Sequence, residues 1–121
     1  MKKMMLALAA SLLCFAAQPA MAAPACEKDC NKCATECKSS LTYAKKKGAK
    51  YAAAAKAIQD CIKTCELCED FEKRGSDLHA QASALCLEAC NKCIAACEAT
   101  KDKELQKCVD ECKTCATSCK S

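Results

Sequence analysis

Cysteines recur in this chain at a spacing that only a helix can put on one face. They form four groups: Cys26, Cys30, Cys33, Cys37; then Cys61, Cys65, Cys68; then Cys86, Cys90, Cys93, Cys97; then Cys108, Cys112, Cys115, Cys119. Each group reads C-x3-C-x2-C, and three of them add x3-C; in the second group the fourth slot is Glu72. At about 100° per residue, steps of four, three and four return to roughly 0°, 40°, −20° and 20°. The thiols of one group therefore share a narrow helical stripe, whereas a strand would scatter them over both faces. The residues between them are mostly Glu, Lys, Asp, Asn, Thr and Ala, which suit an outer face.

The groups also share flanking residues. Cys30-Asn31-Lys32-Cys33 matches Cys90-Asn91-Lys92-Cys93, and Cys33-Ala34-Thr35-Glu36-Cys37-Lys38-Ser39 resembles Cys115-Ala116-Thr117-Ser118-Cys119-Lys120-Ser121. Such repetition predicts one structural unit used four times. Punctuation divides the chain accordingly. The first helix is expected from about Pro24 to Lys47 with Gly48 as its stop, and the second from about Lys50 to Arg74 with Gly75 as its stop. Ser76 or Asp77 is expected to cap a third helix ending near Ala99, and Thr100 or Asp102 a fourth running to the C-terminus. Short connections make neighbours antiparallel. The expected fold is all-α, an antiparallel up-down-up-down four-helix bundle with a Cys-lined core.

The two ends of such a bundle differ. Leu41, Ala44, Tyr51 and Ala54 gather at the Gly48 end as an apolar plug. At the other end His79, seven residues before Cys86 and on its stripe, is expected level with Cys26 and Cys68, with Cys119 beside them. Glu72, in a Cys slot near that end, is expected to be solvated, the usual state of Glu. Leu41, Ile58, Ile62, Phe71, Leu78, Leu85, Ile94, Leu105 and Val109 are expected to be buried alongside the thiols.

Residues 1–22 read as a cleaved export signal: Lys2 and Lys3 form a basic start, Met4 to Ala17 an apolar run too short to span a membrane, and Ala20-Met21-Ala22 a cleavage site. Cys14 leaves with it, so 15 of the 16 cysteines remain in the domain at 23–121. The expected location is the periplasm or the exterior. Loss of Lys2 and Lys3 takes the net charge from +4 to +2. That balance suggests neither nucleic acid nor membrane insertion, and the scattered Lys residues lack interleaved aromatics.

An exported, Cys-rich small chain is ordinarily a disulfide scaffold. Fifteen thiols cannot all pair, and two thiols on one helical stripe are mostly misaligned for bonding each other. A redox enzyme would carry C-x2-C at a helix start after a strand, not in mid-helix four times over, so no catalytic residue is assigned. Thiolate is a soft ligand that selects Cu(I), Zn(II), Cd(II) or iron–sulfur clusters. Four thiolates around Zn(II) leave a buried dianion, whereas about one Cu(I) per thiolate leaves a nearly neutral core. Multiple Cu(I) ions per chain are the favoured cargo; a Zn/Cd thiolate cluster and a disulfide-stapled helical interaction protein are the alternatives.

Across 23–121, the motif Cys26-x3-Cys30-x2-Cys33-x3-Cys37 and its relatives at 61, 86 and 108 resemble those of the copper storage proteins, Cys-rich four-helix bundles. The resemblance implies a bundle preformed without metal, filled with Cu(I) through one open end. It also implies storage rather than catalysis, frequent tetramers, and a His near the open end that receives metal. His79 matches that last role by position. The chain departs from exported members in having no Met after residue 22, and Lys2-Lys3 stands where a twin Arg is expected for export of a folded protein.

Overall fold

The computed structural model describes residues 26–120; the signal segment 1–22, the expected helix start at Pro24, and Ser121 lie outside the described residues. Four α-helices make up the fold: α1 over 26–46, α2 (Ala52–Arg74), α3 (His79–Ala99) and α4 (Gln106–Lys120). Short 3-10 turns at Gly48–Tyr51 and Lys103–Leu105 lead into α2 and α4. There is no strand among the described residues. The chain is an all-α four-helix bundle. None of its described helices is long and apolar enough to cross a membrane.

The helix breaks fall where the glycines are. Gly48 (φ 80°) and Gly75 (φ 65°) adopt left-handed backbone, which costs a residue without Cβ little. At Gly75 the Gly75 N–H donates to the Glu72 carbonyl at 3.1 Å and the Ser76 N–H to the Phe71 carbonyl at 2.9 Å, satisfying the last carbonyls of α2. The third break uses Lys101 (φ 56°), a non-glycine residue in that region.

Capping departs in part from expectation. Leu78, not Ser76 or Asp77, holds the cap position of α3, with no side-chain bond of its own. The Ser76 hydroxyl instead accepts the Leu78 N–H at 3.0 Å, closing a turn just before the helix. Asp102 does cap, accepting the Glu104 N–H at 2.9 Å at the start of the 3-10 turn that feeds α4. The second helix begins at Ala52, because Lys50 belongs to the preceding 3-10 turn.

Sulfur contacts fix the antiparallel register. Cys26 near the start of α1 lies 3.9 Å from Cys68 late in α2 and 3.6 Å from Cys119 at the end of α4. At the other end of α1, Cys37 lies 3.2 Å from Cys108 early in α4. Cysteine supplies most of the core, with alanines packed between the thiols. Ile58, Leu105 and Val109 fill its Gly48 end, and Ser40 is its one buried polar residue among those described. No Lys or Arg among the described residues enters it.

Ile62 is buried as expected, while Leu41, Phe71 and Ile94 are packed against the core from its edge. Leu78 and Leu85 are not buried: they are 51% and 48% exposed. The inward stripe of α3 runs through Ala82, Cys86, Ala89, Cys90, Cys93 and Cys97. Leu85 stands one residue, about 100°, off that stripe. Leu78 precedes the helix.

Candidate metal centre

All fifteen thiols at 26, 30, 33, 37, 61, 65, 68, 86, 90, 93, 97, 108, 112, 115 and 119 are buried and free. The nearest pair, Cys37 and Cys108 at 3.2 Å, is well outside a disulfide bond of about 2.05 Å. The stripes interlock at every level. Cys30 lies 3.6 Å from Cys115, Cys33 3.7 Å from Cys112, Cys61 3.7 Å from Cys90, and Cys65 3.6 Å from Cys86. Cys93 lies 3.9 Å from Cys108, and Cys97 is buried beside that pair.

Groups of four sulfurs gather within 4.8 Å of one another at successive heights. Cys26, Cys30, Cys68 and Cys119 form one; Cys30, Cys65, Cys86 and Cys115 the next; then Cys33, Cys65, Cys90 and Cys115; then Cys33, Cys61, Cys90 and Cys112; then Cys37, Cys61, Cys93 and Cys112. Neighbouring groups share members. The donors therefore form a continuous column, and a thiolate at the junction of two groups can bridge ions in both.

Crowding governs the protons of this column. Cys65 is held far above the ordinary thiol range, first by its hydrogen bond to Cys115, with burial adding to the effect. Cys112 is held up in the same way, first by Cys108. Their neighbours Cys61 and Cys86 are held below that range, first by hydrogen bonds with Cys112 and Cys115, so the protons are shared along the column and a metal must displace them.

The His79 end differs in its donors. Cys119 and Cys26 are the most exposed of the thiols, at 8% and 4%. The Ser83 hydroxyl lies 3.6 Å from Cys68 Sγ and 3.9 Å from Cys26 Sγ. His79 stands at that end, as its stripe predicted. Glu72 does not match expectation: its side chain is only 6% exposed, with Oε1 3.3 Å from His79 Nε2. Neither Glu72 oxygen nor His79 Nε2 has a hydrogen-bond partner. Burial first, and then the neighbouring Cys26, push the Glu72 carboxyl up to about 7, against the pull of His79. The nearby cations are turned elsewhere: Lys73 to Glu69 at 3.4 Å and Arg74 to Asp70 at 3.1 Å.

Spacing signalled both residues that sequence reasoning misjudged or missed. Glu72 is four after Cys68, and Ser83 three before Cys86, each a stripe position. Residue type overrode position for Glu72, because Glu is seldom buried.

The opposite end is closed. Ala44 and Ala54 are buried, and Tyr43 and Tyr51 donate to Asp102 Oδ2 at 2.7 and 2.6 Å. This latch joins the first hairpin to the α3–α4 connection. Only Tyr51 of the pair was legible as part of the plug.

Searches of curated proteins and of solved structures found no match. The family model described as Copper storage protein matches residues 15–121. That span covers nearly the whole chain and every cysteine of the four stripes, and the chain belongs to the copper storage protein family.

Proposed function

We propose that this protein binds and stores many Cu(I) ions outside the cytoplasm, at close to one ion per core thiolate. The observation that carries this reading is the sharing of sulfurs between successive four-thiol groups, in a core without Lys or Arg. Such a column suits a monovalent soft ion that accepts two or three bridging thiolates and cancels one charge per ligand. Divalent ions take four sulfurs each and, even where thiolates bridge them, fit in smaller number; the interlocked groups supply about three that share no member. Each of those would bury a net negative charge with no counterion.

The preformed thiol column favours storage over turnover. The thiols are presented in a rigid bundle, and loading exchanges their protons for copper without requiring a new fold. Uptake proceeds at the His79 end, where the most accessible thiols and an imidazole meet. The Tyr43–Tyr51–Asp102 end stays shut.

Protein recovered from the extracytoplasmic fraction of its native cells tests this reading, with thiols and metals counted before any reductant is added. Reduced thiols carrying several coppers per chain are expected. A copper-free chain whose cysteines are mostly disulfides would overturn it and favour a structural scaffold.

A further inference from the structure

The rim of the core carries a donor set unlike the column below it. Glu72 lies in the last turn of α2 and His79 is the first residue of α3. The Gly75–Leu78 reversal brings them together, with Glu72 Oε1 3.3 Å from His79 Nε2. That approach forms no hydrogen bond, and both Glu72 oxygens and the imidazole nitrogen are left buried without partners. A carboxylate so placed costs stability unless a cation meets it, either a protonated His79 or a bound ion. Cys26 is close enough for its charge to act on that carboxylate.

We propose that Glu72 and His79, with Cys26 at the end of the thiolate column as their sulfur ligand, form a binding site for a redox-inert divalent cation of the Zn(II) class at the rim of that column. Three features favour this class of ion. Two ligands at about 2.0–2.1 Å from a tetrahedral ion stand about 3.3–3.4 Å apart, the separation found here. Carboxylate is a poor donor to Cu(I) but an ordinary one to Zn(II), and imidazole serves Zn(II) well. The charges also balance: one carboxylate, one thiolate and a neutral imidazole cancel a divalent ion, whereas Cu(I) would leave the rim anionic. The C-terminal turn of α2 adds a partial negative charge, which further favours a cation. Three protein ligands leave a fourth position for water or a small anion.

Cadmium-113, a spectroscopic surrogate for Zn(II), tests the proposal on the reduced protein. All-thiolate cadmium resonates far downfield, so a mixed oxygen, nitrogen and sulfur site stands apart from the column. One upfield resonance is expected, coupled to the imidazole of His79, whose assignment is unambiguous because the chain has one His. Glu72→Gln and His79→Ala should each abolish that resonance and lower bound cadmium by one ion per chain, while the all-thiolate resonances persist as the internal check on folding. A parent spectrum confined to the all-thiolate region would overturn the proposal. So would an upfield resonance without coupling to His79, or one that survives in either variant.

Discussion

At one end of the bundle a carboxylate, Asp102, accepts hydrogen bonds from two tyrosine hydroxyls; at the other a carboxylate, Glu72, accepts none. Both sit beside a chain reversal and near the ends of the same column of thiols. The difference separates groups that hold the fold together from groups available to a ligand. Asp102 is pulled down to about 2, first by Tyr51 and then by Tyr43, so it is ionised and satisfied. Glu72 is pushed up to about 7, first by burial, so its charge is unwelcome until something positive arrives. The Asp102 end is built for stability, and the Glu72 end leaves buried polar groups free to meet a ligand.

The largest expected effect comes from hollowing out the closed end. Leu105 is fully buried there, and Leu105→Ala should cost the reduced, metal-free protein about 2–5 kcal/mol in urea unfolding. Glu72→Gln should cost nothing in the same experiment at neutral pH. Equal losses in the two variants would erase the distinction between the ends.

Acid and base should act on the two carboxylates with opposite sign. Glu72 has a folded pKa raised from 4.5 to about 7, so its favourable contribution is complete below 4.5 and is lost as pH rises through 7. Glu72→Gln should therefore raise the thermal midpoint of the metal-free protein at pH 8 and change it little at pH 4. Asp102 has a folded pKa lowered from 3.8 to about 2, so its contribution is present above 3.8 and fades as pH falls through 2. Asp102→Asn should lower the midpoint at pH 7, by less than the Glu72 variant raises it at pH 8, and the deficit should shrink towards pH 2. A pH-independent difference in either variant would contradict the assigned ionisation.

Much of this was legible beforehand, for a definite reason. The four-three-four spacing of the cysteines encodes both the helix and the direction its face must point, so bundle, core and column follow from one pattern. The glycine stops followed because Gly48 and Gly75 are the only glycines, and both take left-handed backbone. Contacts between side chains on different helices were less legible. No periodicity reveals that Tyr43 reaches Asp102, 59 positions away in the chain. Nor did composition reveal that Lys101 would take a left-handed turn, or that Leu85 would remain outside. Glu72 was placed correctly by its slot and wrongly by its chemistry.

A smaller effect, on rate, sharpens the assignment of the mouth. His79→Ala should slow Cu(I) uptake in stopped-flow loading. Ala44→Leu overpacks the closed end and should leave the uptake rate unchanged, although it costs about 1–3 kcal/mol of stability. Slow loading in the Ala44 variant with unaltered loading in the His79 variant would put the mouth at the wrong end.

The central claim is that a column of shared thiolates holds one monovalent ion for nearly every sulfur. Titration of the reduced protein with Cu(I) against a competing chelator measures this directly, with Zn(II) run in parallel. Saturation near fifteen Cu(I) per chain, set by the fifteen core thiols, is expected, against about one Zn(II) per four thiols in the column. Saturation at one or two Cu(I) per chain would contradict the account.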